Sequence, residues 1–174
     1  MTMAPGLRKL ALTAHVTSSV AWLGAVAAFL ALALTGLRSK DAETVRAAYL
    51  AIKSTTWLVI VPLCLASLVT GVVQSLGTVW GLFHHHWVVV KLVLTILATA
   101  VLLLHTRAID YAADAAAQRT MSSTDLRELR IQLVVDAGAA LLVLLVATTL
   151  AVYKPKGRTR DGRARAAVHS SHRP

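Results

Sequence analysis

The 174-residue chain contains a single cysteine, Cys64, and only eight acidic residues against 18 lysines and arginines. One cysteine cannot form an intrachain disulfide, and because Cys64 lies within an apolar stretch we expect it to be a small packing residue. The sequence also lacks a Gly-rich phosphate loop, a nucleophile elbow and an HExxH stretch. Kinase, nuclease and protease functions are therefore left without a supporting motif.

Apolar residues dominate what is present. They make up 56% of the chain, and the mean hydropathy is +0.65, which is typical of a helical membrane protein rather than a soluble domain. Four long apolar runs predict membrane spans at about 10–37, 56–76, 87–105 and 131–153. Each is long enough for a helix rising ~1.5 Å per residue to cross a ~30 Å hydrocarbon core. Isolated apolar strands are excluded because their backbone groups would be unpaired in lipid.

The predicted fold is therefore all-α, a polytopic four-transmembrane-helix bundle over residues 1–153, followed by a basic tail at 154–174. The tail holds seven basic residues and one acid, Asp161. The basic residues are Lys154, Lys156, Arg158, Arg160, Arg163, Arg165 and Arg173. An even number of spans puts both termini on one side, and the tail places that side in the cytoplasm of a bacterial inner membrane. The connections at 38–55 and 107–130 then lie outside, and their composition predicts helix.

A basic tail directly after an apolar helix favours contact with anionic lipid headgroups over nucleic acid. We therefore expect the bilayer and its anionic lipids as partners, with a homo-oligomer as a further possibility and no nucleic acid.

Four titratable side chains lie inside the predicted spans, namely His15, Lys91, His105 and Asp136. Such residues are rare at membrane depth and usually face the bundle interior. By their distance from the span ends, His15 and Lys91 form an inner layer that Gln74 could join, and His105 and Asp136 form an outer layer. Lys91 is also close enough to the interface to snorkel toward water. The outer pair is most simply interpreted as a structural contact.

Three consecutive histidines, His84 to His86, raise the question of a metal site. Consecutive residues do not share a face of a regular element, and no cysteine or carboxylate lies nearby in sequence. A polar turn beside the interfacial Trp87 explains them better, so we predict no metal site.

Two segments carry a resemblance to known families. His15, six residues and then Trp22-Leu23-Gly24 resemble the opening helix of the membrane-bound, haem-associated protoporphyrinogen oxidases. Trp87-Val-Val-Val-Lys91, with His105 further on, resembles their third helix. The resemblance implies that His15 and Lys91 are functional and that haem b is the candidate cofactor. The segment from Pro62 to His105 is more closely similar to an uncharacterised family of actinobacterial four-helix membrane proteins.

Three functions follow as hypotheses. The first is a binding or accessory membrane protein of unknown activity, and a non-enzymatic role is favoured because the stretch from Ala25 to Leu34 lacks the polar residues of the oxidases. The second is a haem- or porphyrin-binding protein, with an oxidoreductase as its enzymatic form, whose site residues are His15, Lys91, Trp22 and Gln74. The third is an oligomeric proton or solute conduit. A haem held by both His15 and His105 is excluded because ~20 Å of helix separates them.

Overall fold

A computed structural model describes residues 3–76, 86–117 and 125–153, excluding the side chains at 86–88, 91, 116–117 and 125–126. These residues form five α-helices, with no strand in the described ranges. The helices are α1 (Pro5–Arg38), α2 (Ala42–Thr55), α3 (Val61–Leu76), α4 (His86–Ala117) and α5 (Asp125–Tyr153), and a π-helical turn (Thr56–Ile60) joins α2 to α3. Four continuous helical stretches are long and apolar enough to cross a membrane. The predicted all-α, four-span architecture is thereby confirmed.

The four stretches form an antiparallel bundle. α1 packs against α2, α3 and α5, and α4 packs against the same three helices. Opposite chain directions are visible in the contacts: Ser19 meets Ser67, whereas Gly36, further along α1, meets Tyr49, which comes earlier in the chain than Ser67. We call the end where α1 finishes and α5 begins the outer end, and the opposite end the inner end.

The turn between α1 and α2 is compact because Asp41 caps α2. Its Oδ2 accepts hydrogen bonds from the backbone N–H of Thr44 at 2.9 Å and from the Thr44 hydroxyl at 2.6 Å. These bonds satisfy an N–H that the first turn of a helix leaves without an intrahelical partner. The Thr44 hydroxyl bond, followed by the backbone bond, lowers the pKa of the Asp41 carboxyl below 3.8.

Helix continues into the connections at the outer end, as their composition predicts. α2 occupies 42–55 and α4 extends to Ala117, so the bundle reaches beyond the apolar runs at this end. Alanine and long charged residues are strong helix formers, which explains this extension.

The π-helical turn has a cause in the sequence. The backbone N–H of Val61 bonds to the carbonyl of Thr56, five residues earlier. Pro62 follows, and a proline inside an α-helix clashes with the carbonyl four residues before it, here that of Leu58. A wider turn directly before the ring lets the chain continue as one span. The buried Thr56 hydroxyl donates to the carbonyl of Ile52 at 2.8 Å, which satisfies this side chain within the helix.

The core is apolar and the surface is too. Buried side chains come from every span, including Trp22, Val26, Phe29, Ile52, Ile60, Cys64, Ile109, Leu133, Ala137 and Leu144. Large apolar residues are also exposed, among them Leu58 and Leu104 at 76% each. A soluble monomer rarely exposes so much apolar surface, whereas in a bilayer these residues face lipid.

Candidate functional site

His15 lies at the contact between α1 and α3. Its Nδ1 is 3.0 Å from the backbone carbonyl oxygen of Ser67 and 3.3 Å from the Thr70 hydroxyl. The Thr70 hydroxyl itself donates to the carbonyl of Ala66 at 2.6 Å. A carbonyl oxygen can only accept, so Nδ1 of His15 carries the proton. In the neutral ring Nε2 is then the basic nitrogen, which is the form of a metal-ligating or proton-accepting histidine.

Gly71 makes room for this ring. A Cβ added at Gly71 would lie 3.0 Å from Cε1 and 3.3 Å from Nδ1 of His15. The ring therefore packs directly on the α3 backbone, one turn beyond Ser67. Its orientation is fixed by this packing as well as by the hydrogen bond.

Hydroxyl groups continue the same contact. The hydroxyls of Ser19 and Ser67 are 2.7 Å apart, and the Ser18 hydroxyl donates to the carbonyl of His15 at 3.1 Å. Small residues with hydroxyl side chains allow two membrane helices to approach closely and to bond across the interface. The α1–α3 contact is thus built from neutral polar groups around one imidazole.

The other predicted members of the inner layer lie at the same level. Cys64 contacts Thr99 across α3 and α4, and Gly71 and Lys91 lie seven and eight residues from this contact toward the inner end. The backbone of Lys91 is therefore at the level of His15, while its side chain lies outside the described part. Gln74 is half-buried one turn beyond Gly71. Trp22 is buried in the core, and its indole N–H has no hydrogen-bond partner among the residues the structure covers.

In the outer layer the structure brings His105 and Asp136 together. Nε2 of His105 is 3.1 Å from Oδ2 of Asp136, and both side chains are about 70% buried (29% and 30% exposed). Nδ1 of His105 is 2.8 Å from the carbonyl oxygen of Val101, so it donates. Within the described ranges Oδ2 has no aligned hydrogen-bond donor. The two side chains therefore form a close imidazole–carboxylate contact across α4 and α5, which is an ion pair only when His105 is protonated.

The two layers are distinct sites. His105 lies six residues from Thr99 toward the outer end, and Gly71, which contacts His15, lies seven residues from Cys64 toward the inner end. The separation is ~20 Å along the bundle. Between the layers, the Cys64 thiol is 3.1 Å from the Thr99 hydroxyl, which in turn donates to the carbonyl of Thr95.

Sequence reasoning missed a third polar group at the outer end. Nζ of Lys53 lies 2.9 Å from Oδ1 of Asp114 and 3.7 Å from Oδ1 of Asp110. The indole N–H of Trp57 donates to the same oxygen of Asp110 at 3.1 Å. Lys53 and Trp57 are four residues apart on one helix, and Asp110 and Asp114 are four apart on the other. This matching spacing on two antiparallel helices is the signal that could have revealed the group.

No cluster of three or more histidine, cysteine, aspartate or glutamate side chains suited to a metal ion occurs within the covered ranges. His84 and His85 and the side chain of His86 lie outside them. Within the described part, such side chains therefore occur singly, as at His15, or in pairs, as at His105 and Asp136.

The family comparison agrees with the architecture. Residues 9–155 match the model of a family described as predicted integral membrane protein (DUF2269). The match covers most of the chain, so the protein belongs to this family of integral membrane proteins. Its description names no ligand and no reaction. Comparisons with curated proteins and with solved structures gave no match.

Proposed function

We propose that this integral membrane protein is a binding or accessory protein that takes its ligand at the inner layer through Nε2 of His15. One observation carries the proposal. The Nδ1 proton of His15 is directed to the carbonyl oxygen of Ser67 at 3.0 Å, which fixes the tautomer and leaves Nε2 as the basic nitrogen. A histidine that only filled space would not require this arrangement, because neutral apolar side chains pack between membrane helices at lower cost.

Native mass spectrometry of the detergent-purified protein tests the proposal. The wild type should carry a bound mass that is absent from His15→Ala and retained in His105→Ala, which removes a histidine from the other layer. Gly71→Ala should lower the occupancy, because the new Cβ would lie 3.0 Å from Cε1 of His15 and turn the ring. Identical spectra for the wild type and both histidine variants would contradict ligand binding at His15.

Haem b is the second candidate ligand. A proximal histidine whose Nδ1–H bonds to a backbone carbonyl is a familiar axial ligand, and His15 has that arrangement. The residues present fit a single axial ligand, since His105 lies ~20 Å away along the bundle. Bound haem would supply redox chemistry at its iron, and His15 would hold that iron. Lys91, at the same level, would pair with a propionate, and Trp22 and Gln74 would line the site.

An absorbance spectrum separates this candidate from the first. A Soret band in protein from a haem-sufficient host, lost in His15→Ala and kept in His105→Ala, supports haem binding. If the preparation is colourless but still carries a bound mass, the binding function is supported and haem is excluded as the ligand.

An oligomeric proton or solute conduit is the third candidate. It is favoured by the Cys64–Thr99 contact, which places polar groups between the two layers. One four-helix chain leaves little lumen, so the conduit would require several copies. It predicts pH-dependent flux into liposomes that Asp136→Asn abolishes, and unchanged flux in that variant would argue against it.

We also propose how the chain sits in its membrane. The four spans place both termini on one side, and the basic segment at 154–174, outside the described residues, favours the cytoplasmic side of a bacterial inner membrane. In that position the tail would contact anionic headgroups. Protease accessibility of the tail in inside-out vesicles and in intact cells distinguishes the two orientations.

A further inference from the structure

The two ring nitrogens of His105 each lie close to an oxygen that accepts hydrogen bonds. Nδ1 is 2.8 Å from the carbonyl oxygen of Val101, which can only accept, so Nδ1 carries a proton. Nε2 is 3.1 Å from Oδ2 of Asp136, across the contact between α4 and α5. Without a further proton, the lone pair of Nε2 and a charged carboxylate oxygen would lie at this distance and repel each other. The contact is therefore favourable only when the pair holds one proton in addition to that on Nδ1.

The additional proton can be carried by either group. On Nε2 it gives an imidazolium beside a carboxylate, and on Oδ2 it gives a carboxyl group that donates to Nε2. Oδ2 of Asp136 is buried and has no aligned hydrogen-bond donor elsewhere among the described residues. No backbone N–H or hydroxyl in that part of the chain therefore takes the place of this proton.

No other charged group of the described helices lies at the level of the pair. α1 has no titratable residue at 16–37, and the stretch through α2, the π-helical turn and α3 has none at 54–63. α4 has none at 92–104, and α5 has only Asp136 at 131–152. The nearest titratable groups beyond these segments are Arg38, Lys53, Cys64, Arg107 and Arg130.

The nearest cations do not compensate the carboxylate. Lys53 pairs with Asp114. Arg107 is exposed and lies two residues beyond the histidine, a spacing that does not put two side chains on one helix face. Arg130 lies six residues, or ~9 Å along α5, from Asp136. Within the described chain, the additional proton is thus the counter-charge available to Asp136.

We propose that His105 and Asp136 form a proton-binding site that joins α4 to α5 and opens when its proton is lost. With the proton bound, the two side chains attract each other or share a hydrogen bond. Without it, two acceptors face each other, and the helices separate at this level until water reaches both groups. The site does not depend on a ligand at His15, and it can bind a proton without conducting one.

The position of the site allows its proton to exchange with water at the outer end. The indole N–H of Trp57 donates to Asp110, and an indole ring prefers the headgroup level. Asp110 is five residues beyond His105 on α4, so the site lies ~8 Å below that level. A proton therefore reaches it without crossing the bilayer.

Such a site makes the stability of the folded protein depend on pH. In the unfolded chain the two groups are apart, and a free imidazole loses its proton above about pH 6.5. The folded pair keeps the additional proton above that pH, so the folded protein binds more protons than the unfolded chain does. Its stability therefore falls as the pH rises, until the folded pair has also lost the proton.

Unfolding of the full-length protein by sodium dodecyl sulfate in mixed micelles, followed between about pH 6 and pH 9, tests the site. We expect the equilibrium constant for unfolding to rise about fivefold more in the wild type than in Asp136→Asn, as for a partly exposed pair. The amide of this variant donates to Nε2 without a titrating proton. Asp114→Asn is the matched control, because it removes a carboxylate that is paired with Lys53 at the same end. It should keep the pH dependence of the wild type.

Spectra of the folded wild type locate the proton directly, and so do not depend on whether a variant folds. At neutral pH, nitrogen NMR signals of a His105 imidazolium, or an infrared band of a protonated carboxyl group beside a neutral His105, each support the site. The inference is overturned if His105 is neutral and no carboxyl group is protonated. It is also overturned if Asp136→Asn keeps the pH dependence of the wild type, or if Asp114→Asn loses it to the same extent as Asp136→Asn.

Discussion

The two ends of the bundle are held together by different chemistry. Toward the inner end, the α1–α3 contact consists of hydroxyls and a carbonyl around the His15 imidazole. Toward the outer end, the polar contacts are made by carboxylates: Asp136 with the His105 imidazole, and Asp110 and Asp114 with the Lys53 ammonium group. Ion pairs at a partly exposed end contribute little stability each, about 0–1 kcal/mol. At the inner end, by contrast, neutral groups fix the tautomer of one imidazole, and the proposed binding at the inner layer rests on this difference.

The largest effect is expected at the outer end, where Gly36→Ala tests the packing of α1 against α2. The new Cβ would lie 2.8 Å from Cε2 and 2.9 Å from Cζ of Tyr49, a fully buried ring that cannot move aside. We expect a loss of about 2 kcal/mol in the free energy of unfolding, typical of overpacking. Titration with sodium dodecyl sulfate in mixed micelles measures it.

Gly24→Ala is the matched control for that substitution, because an added Cβ there meets nothing within 4 Å. It should be neutral or slightly stabilising, since alanine is the better helix former. Equal losses in the two variants would show that Tyr49 does not fix the α1–α2 contact.

How far the sequence predicts this molecule can be judged from particular residues. The apolar runs predict four spans correctly because membrane depth demands long uninterrupted helices. Helix in the outer connections also follows from their composition. The sequence does not predict the π-helical turn before Pro62, because a proline within a helix indicates a local distortion but not its form.

The contacts within the site were less predictable. The sequence predicts that His15 faces the bundle interior, but which hydroxyl or carbonyl meets the imidazole depends on the rotation and register of α1 against α3. The Lys53 group was missed because composition predicts helix in both connections but does not predict which faces of the two helices meet. The depth of a residue can be predicted from the sequence of one helix, whereas its contact partner depends on how two helices pack against each other.

A smaller effect is expected from the His105–Asp136 pair. A double-mutant cycle with His105→Ala and Asp136→Ala isolates the interaction from the cost of each change. Because both side chains are partly exposed and the contact is not an aligned hydrogen bond, we expect a coupling of about 1 kcal/mol. The same titration in mixed micelles measures it. A coupling near zero would mean that the two groups are neighbours without interacting.

The smallest effect concerns Asp41, the exposed cap of α2, and its sign can be worked out. The bonds from Thr44 stabilise the carboxylate, so the pKa of Asp41 in the folded protein lies below 3.8. The cap then contributes stability at higher pH, and this contribution is lost as the pH falls from the unfolded-state pKa through the lower folded-state value. In Asp41→Asn an amide oxygen accepts the same bonds without titrating. As the solution is acidified, the unfolding midpoint of the wild type should therefore fall relative to the unfolding midpoint of Asp41→Asn. If the difference between the two midpoints stays constant, or if the wild type gains stability relative to the variant in acid, the charge of Asp41 does not stabilise the α1–α2 turn.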